Sequence, residues 1–239
     1  MPVEREEAGG DQPQKLSRSA LLAGGGAAAA SLSISRADAA LAGVKPTGSE
    51  AGQIGIAPVN ENALELVFRV DQVGERFTTY GYLTEIASLP RSALFSSAKS
   101  RDDRTALFTV YSVTTMQSRS IVEGVHALHV DGPMDIYLRR NAGAAFRDPN
   151  SFREGELIAS YDGEFQSIVS VTSPRKGIET LAGALKQTRA PRFTFLGGTR
   201  VLGRRGLGLR VEATGAGKLL EPKRPRAALV LAGTVVVTS

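Results

Sequence analysis

The chain contains no cysteine. No disulfide can staple it, so its stability must come from a packed core. Thiol catalysis and Cys-bound zinc are excluded, as is any lipid anchor that needs a cysteine. Histidine is nearly as scarce, with His126 and His129 the only two. Three apart on a strand they would point to opposite faces, so no metal site is expected. Long apolar runs are missing as well. Residues 20–34 are weakly polar but too rich in Ala and Gly for a membrane span, which needs roughly 20 strongly apolar residues. No later stretch is long enough. Gly203-Arg204-Arg205-Gly206-Leu207-Gly208 has neither the Gly-Lys-Ser/Thr nor the following helix of a phosphate loop, and reads as a tight turn. Ser120, Ser151 and Ser173 lack the Gly-x-Ser-x-Gly setting of a hydrolase nucleophile. No repeat of 20–50 residues is present, which argues against a solenoid or propeller.

What the chain does have begins at its N-terminal side. Lys15 and Arg18 precede the weakly polar run. Two small-residue steps follow it, Ala37-Asp38-Ala39 and Ala40-Leu41-Ala42. Together they read as an export signal with a peptidase site, which places the mature protein in the periplasm or outside the cell. Ser17-Arg18-Ser19-Ala20-Leu21-Leu22 is similar to a twin-arginine signal with Ser19 at the second arginine, so that route and the general secretory route both stay open. The expected division is a signal at 1–42, a flexible Gly/Pro/Ser/Asn-rich lead-in at 43–62, and one domain at 63–239. Roughly 200 residues suffice for one well-buried domain.

Charge is uneven. Of 29 basic and 24 acidic residues, four and five lie in 1–42, which leaves the remainder near +6. The excess gathers in 186–226, where eleven Lys/Arg face only Glu212 and Glu221. Phe193 and Phe195 are the only aromatics there, so the interleaving expected of a nucleic-acid surface is lacking. A solvated face, or a weak affinity for polyanions or membrane surfaces, fits better.

From residue 63 the pattern becomes one of short alternating runs. Leu64, Leu66, Phe68 and Val70 alternate with Glu65, Val67, Arg69 and Asp71, the period-2 signature of a half-buried strand. Val73-Gly74-Glu75 predicts a turn, with 77–86 as the partner strand. Strands are expected over 105–116, 121–130 and 134–139, the last two separated by Asp131-Gly132-Pro133. A long loop, 140–154, follows. A hairpin is expected from 156–161 and 164–171 across Asp162-Gly163. Ile178, Leu181, Ala182 and Leu185, bracketed by Pro174 and Pro191, predict one short helix over 177–188. Strands at 192–196, 207–213 and 227–237 complete a set of eight to ten. The fold class is therefore all-β, an antiparallel barrel or sandwich.

The stretch Phe195-Leu196-Gly197-Gly198-Thr199-Arg200-Val201-Leu202-Gly203-Arg204-Arg205-Gly206-Leu207-Gly208 resembles the glycine-patterned turn of the allene oxide cyclase and dirigent barrel superfamily. Arg200 replaces the third family glycine, and Gly203 and Gly206 fall one residue early. The opening strands, with Phe68 and Gly81, are also similar. This resemblance, spanning roughly 63–238, implies an eight-stranded antiparallel barrel with a cavity for one small ligand. It also implies catalysis by confinement, in which a flexible apolar substrate is folded for cyclisation or isomerisation without a cofactor. Family barrels often associate, so a homo-oligomer is also an open expectation.

On this reading Tyr80, Tyr82, Tyr111 and Tyr137, together with His126, are the candidate substrate-shaping residues. Each would suit a core or rim position equally well. Glu65 and Glu85 are the candidate proton-moving groups, because a carboxylate turned into an apolar barrel has a raised pKa. On the outer face the same residues need no functional account. Loop 140–154 is expected to cap the cavity. The alternative functions are a non-catalytic carrier of a hydrophobic ligand and a structural envelope protein. An enzyme predicts an inward ionisable group, a carrier an apolar cavity, and a structural protein a filled interior without a cavity of roughly 300 Å³.

Overall fold

The computed structural model describes residues 51–221 and 226–239. Their elements are β1 (Gly52–Ile54), β2 (Asn62–Val73), β3 (Arg76–Ile86), β4 (Phe108–Val122), β5 (Val125–Leu138), β6 (Glu156–Ser173), β7 (Lys176–Arg189), β8 (Arg192–Phe195), β9 (Gly198–Leu202), β10 (Gly208–Glu221) and β11 (Arg226–Val237). Eight strands close into an antiparallel barrel in the order β10-β11-β2-β3-β4-β5-β6-β7, with β7 pairing β10 to complete the ring. The expected eight-stranded barrel is the fold observed. The export signal expected at 1–42 lies outside the described residues.

Alternation sets the two faces. Leu64, Leu66, Phe68 and Val70 turn inward and are buried, while Glu65, Val67, Arg69 and Asp71 face out. Phe68 stands opposite Gly81 on β3 and Leu231 on β11, so a bulky residue meets a small one across the lumen wall. An apolar lumen with charged outer positions reverses the pattern of a membrane-spanning barrel. Among the described residues no helix is long and apolar enough to cross a membrane.

Three local expectations differ from the structure. Residues 177–188 form strand β7, not a helix. The apolar residues that mimic a helical stripe belong to both faces of the strand: Leu181 and Leu185 point inward, Ile178 and Ala182 outward. Ile178 is accordingly 52% exposed and Leu185 only 2%. Among the described residues the only helical pieces are the short 3₁₀ turns Arg91–Leu94 and Pro149–Arg153.

Asp131-Gly132-Pro133 and Asp162-Gly163 do not end strands either. They lie inside β5 and β6, with Gly132 paired to Gly163. Gly132 has φ +148°, and a Cβ there would come within 2.6 Å of the Val113 carbonyl oxygen. Residues read as turn formers serve instead as the bend that lets long strands curl into a barrel. Finally, part of the expected lead-in is ordered: β1 pairs in parallel with β9, and Ile54 is 1% exposed.

The two ends of the barrel differ. Hairpins β2–β3, β4–β5, β6–β7 and β10–β11 all turn at one end, the mouth. The three long connections, 87–107, 139–155 and 190–207, are gathered at the other. That end is plugged by the small sheet β1-β9-β8 and by inward Gln187. The Gln187 amide donates to the Leu202 carbonyl at 2.8 Å, and its Oε1 accepts from Arg204 N–H at 2.9 Å. Gly206 N–H donates to the Gln187 carbonyl, so Gly203–Gly208 is the expected tight turn, its amides used within the fold. The chain enters β2 and leaves β11 at this same end, where Asn60 N–H bonds the Val237 carbonyl at 2.8 Å.

Candidate functional site

Outside the barrel wall lies a second apolar cluster. The connection 139–155 folds back over β3 and β4 and buries Phe152 completely. Its ring lies 5.3 Å from Tyr80 and 5.1 Å from Phe146, and Phe146 is 6.2 Å from Tyr82. Phe95 closes the group against Tyr82. Thr109 Oγ1 donates to the Phe152 carbonyl at 2.7 Å, pinning the connection to β4.

Most of the sequence candidates sit on this outer side. Tyr80 and Tyr82 are buried in the aromatic cluster. The Tyr80 hydroxyl donates to Asp71 at 2.6 Å, and burial followed by that carboxylate pushes its pKa well up. Tyr111 lies beneath the Arg153 guanidinium, 5.4 Å from the ring centroid. Tyr137 bonds Asp135 at 3.3 Å, and its pKa is pushed up to about 12, by burial first and then by that carboxylate. Glu65 and Glu85 are cross-strand neighbours on the outer face, both reached by Arg91. None of these six side chains reaches the lumen, because residue parity on β2–β5 places them outward. Loop 140–154 belongs to the plugged end and caps no mouth.

Of the candidates, His126 lines the cavity at the hairpin end. That cavity, about 170 Å³, opens between the four hairpins. Its walls are Phe77, Leu128, Val169 and Leu229, and its rim carries Gln72, Arg119, His126, Arg175, Lys176 and Lys218. A narrower chamber of about 60 Å³ continues inward between Phe68, Val110, Met134 and Phe165. The slot for Phe165 exists because Gly163 and Gly183 lie under its ring, where a Cβ would come within 2.6 and 2.5 Å of it. The outer cavity is smaller than the roughly 300 Å³ common for ligand sites, so it suits a small guest or one end of a longer one.

Phe77, Ser167 and Glu179 line both chambers and form the neck between them. Glu179 is an inward residue of β7 and is only 4% exposed. Ser167 on β6 donates to Glu179 Oε1 at 2.5 Å. Among the described residues Glu179 Oε2 is buried without a hydrogen-bond partner. Burial raises the Glu179 pKa, and the Ser167 bond only partly opposes it. Burial in this setting disfavours the charged carboxylate. The rim is cationic. Arg119, Arg175, Lys176 and Lys218 form no ion pair among the described residues. An Arg119 N–H donates to His126 Nδ1 at 2.9 Å. Burial first, and then the Arg119 charge, lower the His126 pKa, which favours the neutral ring.

No family model, curated protein or solved structure matches this chain. The site must therefore be read from its own chemistry. Sequence reasoning missed Glu179 because 177–188 was assigned a helical period. The signal was Gly177, Glu179, Leu181, Gly183 and Leu185, a lone carboxylate within an otherwise small or apolar alternate set.

Proposed function

We propose that the barrel binds a small apolar or amphipathic molecule through its hairpin-end mouth and guides its cyclisation or isomerisation without a cofactor, with Glu179 as the proton donor. The observation that carries this reading is the buried, partnerless Oε2 of Glu179 at the neck of an apolar cavity. A confined guest would be held near a single acid with little competing water. The step balances internally. Glu179 O–H breaks as a basic atom of the guest takes the proton, an internal double bond attacks the activated carbon, and the proton lost from the resulting cation returns to Glu179. The product is an isomer of the substrate. This suits the confinement chemistry implied by the allene oxide cyclase and dirigent resemblance.

Citronellal is a suitable probe, because its acid-catalysed closure to isopulegol is such an isomerisation. Wild-type protein is expected to exceed the buffer rate at least tenfold, and Glu179→Gln to lose that gain. Leu229→Trp, which fills the cavity, should abolish both binding and turnover. Equal rates for wild type and Glu179→Gln would sink the catalytic reading. The carrier reading, supported by walls that are otherwise apolar, predicts that outcome with binding still blocked by Leu229→Trp.

A further inference from the structure

The mouth is unusual for what it exposes. Val73, Ile121, Val122, Val125, Val171, Leu219 and Leu220 are all substantially exposed. They lie at the ends of all four hairpins, so the apolar tips form a crown around the opening. Solitary exposed aliphatic residues are ordinary on a protein surface, but a crown gathered at one end is a contact surface. The charges of the same end are mostly positive: Arg76, Arg119, Arg175, Lys176, Lys218 and Arg226, against Glu75, Glu123 and Glu221. The β10–β11 connection adds Lys223 and Arg224 in sequence.

We infer that this crown docks the barrel, mouth first, onto an anionic lipid bilayer. Aliphatic tips can sink into the boundary between headgroups and acyl chains, while flanking cations meet anionic headgroups. A second copy of the chain is a poorer occupant, because two mouths face to face would bring like-charged rims together. A nucleic acid is poorer still, because the crown has no aromatic side chain on which a base could stack. Docked in this way, the cavity opens directly toward the lipid. The docking surface stands apart from the catalytic reading, since it depends on the tips and not on Glu179.

The test uses the full chain and sucrose-loaded vesicles of phosphatidylcholine, with or without 30 mol% phosphatidylglycerol. The chain has no tryptophan, so Val122→Trp places a single, selectively excitable tryptophan at one tip. Its emission is expected to shift to the blue with anionic vesicles and to stay unshifted with phosphatidylcholine alone. Co-sedimentation with anionic vesicles should fall at least tenfold in Ile121→Ser/Val122→Ser and in Lys176→Glu/Lys218→Glu. Residues 1–50 are the same in every variant, so the differences report on the crown. Circular dichroism confirms that each exposed-site variant is folded. An unshifted Val122→Trp, or sedimentation unchanged in both double variants, overturns the inference. A vesicle-free dimer abolished by Ile121→Ser/Val122→Ser also overturns it, assigning the crown to a second copy.

Discussion

The burial of Glu179 predicts a pH-sensitive barrel interior. Its folded-state pKa lies above the ordinary glutamate value of about 4.3. The folded state therefore holds this proton more tightly than the unfolded chain does. The resulting stability is complete below the unfolded pKa and is lost as pH rises through the folded one. Denaturant titrations from pH 4 upward should show the stability of wild type relative to Glu179→Gln falling with rising pH. Equal slopes would mean that the carboxyl ionises freely in the fold. His126 moves in the opposite sense. Its pKa is lowered, so any contribution it makes is present above the unfolded value and lost as pH falls through the folded one. Removing the nearby charge in Arg119→Ala should raise the His126 pKa, which ring-proton NMR would register; an unchanged value would leave burial as the sole cause.

Strand β7 shows how a sequence can carry two periods at once. Glycines thin its inner face and a buried acid interrupts it, so the alternation of two was masked by aliphatic residues spaced as on a helix. β2 was legible because its inner face from Leu64 to Val70 is uniformly large and apolar, and β3 because a simple Val-Gly-Glu turn joins it to β2. The interiors of β5 and β6 were misread for a physical reason: a closed barrel needs bends in mid-strand, and Gly-Pro and Asp-Gly supply bends as well as reversals. Gly132→Ala should test this. Its left-sided φ and the close Val113 carbonyl predict a loss of about 1–3 kcal/mol, measured by denaturant unfolding; a neutral result would mean the bend tolerates a side chain. The connection 139–155 is an element of the same kind, a loop by sequence and a core by packing. Phe152→Ala should cost about 3–5 kcal/mol yet leave the mouth unaltered, because the two lie at opposite ends of the barrel.

At the scale of the molecule, the strand pattern in the sequence left barrel and sandwich open, the family resemblance implied the eight-stranded barrel, and neither told which way the faces turned. Both faces of β2 and β3 carry apolar or aromatic residues, and only the outer aromatic cluster explains why. Tyr80 and Tyr82 looked like cavity residues because a cover over the outer wall is built from a distant segment that no local pattern announces. Only His126 among the site candidates was placed at the mouth, while Glu179, the buried acid, came from the closing strands of the ring.

The gathering of the long connections at one end has a practical corollary. Residue 51 and Ser239 both emerge there, beside the plug and away from the opening. A tag, a fused domain or a surface linker attached after Ser239 would thus leave the mouth unobstructed. Immobilised barrels would all present the same aperture to the solution, which makes the fold suited to oriented display without redesign.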